Sequence, residues 1–340
     1  MAYISFQPKD YFNTSIWTGT GSDPLTVTGV GFQSDITWIK RRELNHHRFM
    51  DSVRGATYEM YPDLNSTSYG ESQGLKSWNT DGYALGNNAG YNANGGTYAG
   101  WTWKGGTTSV PSGGSITPSS VSYHVSGGVG VYKYTGTGSN ATIAHGLGKE
   151  PSMIIVKRTD ATSQWSVYFK ALGNTQHMIL DTDGNSVSSA NYWNNTSPTS
   201  SVFTIGAGTD VNASGGTYIA VAYCNVPGYS HSGKYTGNGN ANGEFVYTGF
   251  KPSWLMIKKH GASSQWIIFD NKRGYNGSNG QLYADSNEAE GSSETLDLVS
   301  NGFKCRATDN GVNNSGSDYF YIAFADEPFV ASNGDPATAR

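Results

Sequence analysis

Two cysteines in 340 residues, Cys224 and Cys305, are too few for a disulfide framework and stand at non-equivalent places in the chain. That usage suits folding in a reducing cytoplasm. Charge is also scarce, at 14% Asp, Glu, Lys and Arg against the roughly 25% usual for globular proteins. The largest basic run is Lys40-Arg41-Arg42 and the net charge is −4. Without a concentrated basic face, no nucleic-acid partner is expected. No apolar run approaches the roughly 18 residues of a membrane span. Met1 to Phe6 carries neither a basic nor an apolar leader region, so neither membrane insertion nor a secretory leader is expected. No window keeps an i, i+3, i+4 apolar stripe with caps, so helix should be scarce.

What the chain has is glycine, 45 residues, and aromatics, 13%, in a repeating order. Thr18-Gly19-Thr20-Gly21, Thr135-Gly136-Thr137-Gly138 and Thr236-Gly237-Asn238-Gly239 each precede an apolar strand that ends in lysine. The spacing is 22 residues each time (40−18, 157−135, 258−236). The copies are 117 and 101 residues apart (135−18, 236−135), the size of whole domains and not of solenoid turns. The strands read Ile36-Thr37-Trp38-Ile39-Lys40, Met153-Ile154-Ile155-Val156-Lys157 and Trp254-Leu255-Met256-Ile257-Lys258. Eight residues on come Arg48, Trp165 and Trp266, opening a further strand. Copies one and three share Asp51-Ser52-Val53-Arg54-Gly55 and Asp270-Asn271-Lys272-Arg273-Gly274, whereas copy two has Tyr168-Phe169-Lys170. Each copy closes on an Asn-rich turn (Asn92, Asn212, Asn313) and a last strand from Tyr98, Tyr218 or Tyr321, with a short insertion in the third. Asp81-Gly82 and Asn301-Gly302 add hairpin signals.

The pattern predicts an all-β chain of three tandem antiparallel β-sandwich domains. The expected division is an N-terminal arm (1–15), repeat 1 (16–106), a Gly/Ser/Pro linker (107–130), repeat 2 (131–226), repeat 3 (233–326) and a tail (327–340). The long linker predicts a hinged first repeat, and the short one after Cys224 a rigid second and third. Within the linker one short strand is expected at Val121-Ser122-Tyr123-His124-Val125. The arm holds Tyr3, Ile4, Phe6, Tyr11 and Phe12, an apolar set expected to be ordered by a neighbouring subunit. Lys40, Lys157 and Lys258 are expected at one equivalent strand end, with the ammonium reaching solvent or an acid.

Chemistry-bearing constellations are thin. His46-His47 with Asp51 reads as a hairpin tip, since neighbouring strand residues face opposite ways. Asp181-Thr182-Asp183-Gly184-Asn185 resembles the start of a calcium loop without its distal glutamate, and reads as a turn. Glu288, Glu290, Glu294 and Asp297 cluster in repeat 3 without counterparts in the other copies, so no catalytic pair is assigned. Gly136-Thr137-Gly138 precedes no helix, which leaves phosphate cradling unsupported. Trp38, Trp101, Trp103, Trp165, Trp254 and Trp266 read as core. The loop aromatics Tyr69, Tyr91, Tyr192 and Trp193 are the candidate glycan contacts. No catalytic residue, metal or cofactor is assigned.

The ordered motifs (Thr-Gly-x-Gly, Gly-Phe-x-Pro, apolar strand to Lys, Asn-x-x-Gly-x-x-Tyr) resemble a domain of unassigned function in virion proteins of tailed bacteriophages, itself similar to concanavalin-like or laminin-G-like jelly rolls. Phe32-Gln33-Ser34 departs from the Pro form. The resemblance spans all three repeats and carries no catalytic residues. It implies a non-enzymatic virion structural protein assembled in the host cytoplasm, a tail fibre or tail-associated adhesion component. The expected partners are other virion proteins, a homo-oligomer (a trimer by analogy with phage appendages) and a host surface glycan. A capsid decoration protein, and a glycan-binding or carbohydrate-active protein outside a virion, are the alternatives.

Overall fold

The computed structural model describes residues 7–328 except Tyr275 and Glu294. The chain is all-β, with 42% strand and 5% helix in several antiparallel sheets and no barrel. The described helices are single turns such as Ala89–Asn92 and Thr209–Asn212.

Each repeat supplies one larger and one smaller sheet. In the larger sheets an entry strand (Phe12–Thr18, Val129–Thr135, Ser230–Thr236) pairs with the closing strand (Thr97–Trp103, Thr217–Cys224, Asp318–Phe324). The closing strand pairs in turn with the lysine strand (Ile36–Arg41, Pro151–Arg158, Trp254–Lys259), and that with a fourth strand (Arg48–Asp51, Ser166–Phe169, Trp266–Asp270). The smaller sheets are Leu25–Val27 with Gly82–Leu85 and Leu75–Asn79, Ala141–Ala144 with Val202–Ile205, and Phe245–Tyr247 with Gly302–Cys305 and Leu296–Val299.

The lysine strands are apolar at successive positions because both of their faces are buried. Ile39, Ile154 with Val156, and Ile257 face clusters shared with their own repeat's smaller sheet, around Tyr83, Phe203 and Phe303. The alternate residues Trp38, Ile155 and Met256 enter a single cluster common to all three repeats. Phe12, Trp101, Trp103, Trp165, Trp254, Trp266 and Phe324 complete it. Trp254 stands among Trp38, Trp101 and Trp103 with ring centroids 6.5, 6.2 and 5.6 Å away. A void of only about 10 Å³ remains there, too little for any ligand. The six tryptophans expected in the core are all buried.

The Thr-Gly-x-Gly motif is a clamped turn. The buried Asn92 accepts from Thr20 N–H at 2.7 Å and donates to Ser22 and Gly86 carbonyls. Asn212 and Asn313 repeat the arrangement with Thr137 and Asn238. A Cβ on Gly19, Gly136 or Gly237 would come within 2.2, 2.3 or 2.5 Å of the carbonyl oxygen of Ala93, Ala213 or Asn314, so only glycine lets the turn close. The tyrosine six residues past each asparagine caps the other side: Tyr98, Tyr218 and Tyr319 each accept a backbone N–H and donate to a carbonyl. The third copy therefore aligns on Tyr319 and not Tyr321, and no insertion precedes its closing strand.

Two expectations about the chain's ends and joints are corrected. Residues 12–15 belong to the first entry strand, and Phe12 packs between Trp103 and Phe324 in the central cluster. Tyr11 packs against the same cluster, so neither residue of the arm needs another subunit. Tyr3, Ile4 and Phe6, and the tail from Phe329, lie outside the described residues. The 107–130 stretch is not a free hinge. Ser120–His124 joins the sheet of repeat 2, Ile116 bridges Ile143, and Ser122 Oγ and Gly105 N–H both bond the Asp35 carboxylate of repeat 1. The larger sheet of repeat 1 also contributes to the common core.

Candidate functional site at the junction of repeats 1 and 2

The three repeats meet head to tail, and the contacts close a ring. Trp165 of repeat 2 donates its indole N–H to Tyr61 and Leu64 carbonyls of repeat 1, at 3.0 and 3.1 Å. Trp266 of repeat 3 donates to Ile179 O of repeat 2 at 2.9 Å. His47 of repeat 1 completes the circle at Tyr283 O of repeat 3, 2.8 Å away. Strand register makes His47, and not Arg48, equivalent to the two tryptophans: Phe49, Val167 and Ile268 pair with Trp38, Ile155 and Met256. The hairpin of repeat 1 is one residue shorter (47−40 against 165−157). Trp38 Nε1 donates to His47 Nδ1, so Nε2 carries the imidazole proton. Burial, the largest cause, pushes His47 well below the usual histidine range, and both of its nitrogens are committed within the protein.

A second set of contacts follows the same circle. Asn45, Ser163 and Ser264 donate backbone N–H to the carbonyls of Asn287, Asn65 and Asp183 in the adjoining repeat. Those acceptors close a phrase present in every copy and missed in the sequence reading: Asp63-Leu64-Asn65, Asp181-Thr182-Asp183, Asp285-Ser286-Asn287. Its leading aspartate accepts the N–H of His47, Trp165 or Trp266. The calcium-like phrase is thus a clasp, with Asn185 Oδ1 accepting from Gly261 N–H across the junction as well. Among the described residues no three His, Cys, Asp or Glu side chains are placed to hold a metal ion.

The three lysines also lie on the central face of their strands and are fully buried, contrary to the expected solvent reach. Lys157 Nζ donates to Asn65 O and Arg158 O, Lys258 Nζ to Asp183 O and Ser264 O, and Lys40 Nζ to Arg41 O and Glu43 O. Burial lowers each to about 8, partly opposed by Asp63, Asp181 or Asp285 among other nearby acids. Burial in turn raises those carboxyls, Asp285 to about 6. The sign follows from linkage: a lysine that loses its proton near 8 when folded and near 10.5 when unfolded leaves the unfolded chain binding more protons between those values. Stability is therefore expected to rise from pH 8 to about 10, until unfolded tyrosines begin to ionise. Urea midpoints across that range check it, and Lys258→Met should flatten the rise.

The junctions differ again two residues past each lysine. At the 3–1 junction Arg42 forks onto Glu290 at 2.8 and 2.7 Å, and Arg273 joins from the other side at 3.0 Å. At the 2–3 junction His260 reaches Ser186 Oγ at 2.9 Å. At the 1–2 junction the position holds Thr159, whose hydroxyl turns back onto Thr217 Oγ1 at 2.8 Å. Ser68 there is held through its backbone N–H by Thr159 O and through its hydroxyl by Arg54. Beside the short Thr159 side chain lies a cleft of about 440 Å³ lined also by Arg54, Tyr58, Ser68, Lys133, Asp160 and Thr217. Tyr58 is 49% exposed on the ribbon Tyr58–Glu59/Tyr69–Gly70. Arg54 is paired with Asp51, and Asp160 with Arg158. Lys133 has no acid within ion-pair distance among the described residues. A second concavity, about 290 Å³, borders Asp183, Gln281 and Asp309.

The loop aromatics proposed as glycan contacts divide. Tyr69 is exposed (44%), on the ribbon strand beside Tyr58. Tyr91 and Trp193 are buried, Tyr91 against the Glu59 carboxylate and Trp193 edge-on to Tyr168, so neither offers a face to a ligand. Tyr192 is half-buried, stacked on His177 with its hydroxyl on Asp210, far from a free platform. Glu290 is neutralised by its two arginines, Glu288 contacts Gln265, and Asp297 pairs with Arg306. Glu294 lies outside the described residues. Tyr58, Lys133 and Thr159 were missed. Laying the copies side by side would have flagged Thr159 against Arg42 and His260.

Over residues 7–328 the chain matches a domain of unknown function, DUF7483, and belongs to that family. No curated protein and no solved structure matches it.

Proposed function

We propose that this chain is a non-enzymatic structural protein of a bacteriophage virion, a tail fibre or tail-associated component that contacts the host surface. Each repeat is then a small β-sandwich of the jelly-roll, concanavalin-like kind, and the three form one compact ring. The observation that carries the adhesion reading is the open 1–2 junction. Two residues past the lysine, Arg42 and His260 bridge their junctions by side chain whereas Thr159 does not, and the 1–2 junction presents a polar concavity with an exposed aromatic wall, of the size that small ligands occupy. A ring held by a common core, clasped junctions and no disulfide suits assembly in a host cytoplasm and use outside it. The partners in this reading are other virion proteins, copies of itself and a host glycan.

The threefold arrangement within one chain favours a second reading, a capsid decoration protein seated on a local threefold axis. Electron cryo-microscopy of intact particles distinguishes them. Density for the chain on the tail is the expected result, and density on the head shell selects decoration. Absence from purified particles overturns both, and would leave a glycan-binding or carbohydrate-active protein outside the virion.

A further inference from the structure

We propose that the cleft between repeats 1 and 2 binds an acidic sugar unit, a uronic or sialic acid residue of a surface glycan. This inference rests on the adhesion reading and narrows it to one ligand chemistry. The exposed ring of Tyr58 gives a flat apolar wall for the C–H face of a pyranose. Ser68, Thr217 and Asp160 line the cleft with hydroxyl and carboxylate oxygens that keep acceptor capacity for sugar hydroxyls beside their bonds to Arg54, Thr159 and Arg158. The charge balance decides the class. Arg54 and Asp160 are each neutralised by a neighbour from their own repeat, which leaves Lys133 as the cleft's surplus cation. A neutral sugar would leave that ammonium without a counter-charge, whereas a sugar carboxylate meets it directly.

The threefold repeat supplies an internal comparison. The positions equivalent to Lys133 by strand register are Ile16, which is apolar, and Lys234, which is held by Asp318. Among the described residues, only repeat 2 pairs a lysine without an ion-pair partner with the junction where the side chain two residues past the buried lysine is short. The 2–3 junction has a concavity too, about 290 Å³, but Asp183 and Asp309 line it and no lysine does, so among the described residues an unpaired lysine and a junction cleft coincide between repeats 1 and 2.

Binding of 3′-sialyllactose and trigalacturonate to the full-length protein, with lactose and maltotriose as neutral controls, tests this by titration calorimetry. At least one acidic probe is expected to bind roughly tenfold or more tightly than the neutral ones. Lys133→Gln should erase that preference, and Thr159→Arg, which restores the bulk found at Arg42, should abolish binding. An unchanged circular-dichroism spectrum and melting profile would show that both variants fold. Equal binding of acidic and neutral probes, or an acid preference that survives in Lys133→Gln, overturns the proposed ligand class. If no probe binds while the wild-type protein still adheres to host cells and Thr159→Arg does not reduce that adherence, the cleft assignment fails but adhesion stands. Loss of adherence in wild type itself would instead remove the reading on which the proposal rests.

Discussion

Replacing Arg273 by leucine should destabilise the protein by about 3–5 kcal/mol, among the largest effects available to a single change. Arg273 and Asp270 are both fully buried and joined at 2.6 Å. The Asp270 carboxylate also accepts from the Trp101 indole, and Arg273 bonds Ile268 O and Glu290. Removing the guanidinium strands a carboxylate beside the central core. Adding Asp270→Asn should recover a large part of the loss, because the amide keeps an acceptor for Trp101 and removes the charge. Repeat 2 shows that the site can be built without ions. Register places Phe169 where Asp51 and Asp270 stand, and Leu172 follows at the arginine position. Gly55, Gly173 and Gly274 complete the same turn at φ of 100°, 95° and 106°, which favours glycine. Equilibrium unfolding in urea reads both variants. A loss below about 1 kcal/mol for Arg273→Leu would contradict the assigned burial.

Trp254→Ala should cost a similar amount, about 3–5 kcal/mol, and should weaken all three repeats together. Its ring centroid lies 5.6 to 6.5 Å from those of Trp38, Trp101 and Trp103 in repeat 1 and 5.9 Å from that of Phe324 in its own repeat. Its indole N–H has no hydrogen-bond partner among the described residues. Trp254→Phe is therefore expected to be mild, within roughly 1.5 kcal/mol, since it keeps most of the packing and removes an unpaired buried donor. Urea midpoints of the two variants give the comparison. An alanine variant with an unchanged midpoint would place Trp254 outside the core.

The local devices of this fold were legible in the sequence because each uses residues that few alternatives can replace. Glycines at the close approach beside Ala93, the buried Asn92, Asn212 and Asn313, and the apolar strands ending in lysine recur at fixed spacing. The common core was not legible. A strand such as Met153 to Val156 reads as buried on both faces, but nothing in it says that the second face is covered by another repeat. The lysines were misplaced for the same reason: a cation at a strand end reads as solvent-facing unless a neighbouring repeat brings Asn65 O or Asp183 O to receive it. His47 was passed over because alignment on Arg48 ignored a hairpin shortened by one residue. Tyr58, Lys133 and Thr159 lie on three separate segments, and the cleft arises only when two repeats meet.

Hydrogen exchange followed by mass spectrometry tests most directly whether the three repeats are one ring around one core. The lysine strands Ile36–Arg41, Pro151–Arg158 and Trp254–Lys259 should be protected to a similar, high degree. They should lose that protection together as urea is added, because each has one face in the shared cluster. Earlier exchange of the first strand, with the other two still protected, would mean that repeat 1 opens as a separate unit and would contradict the closed ring.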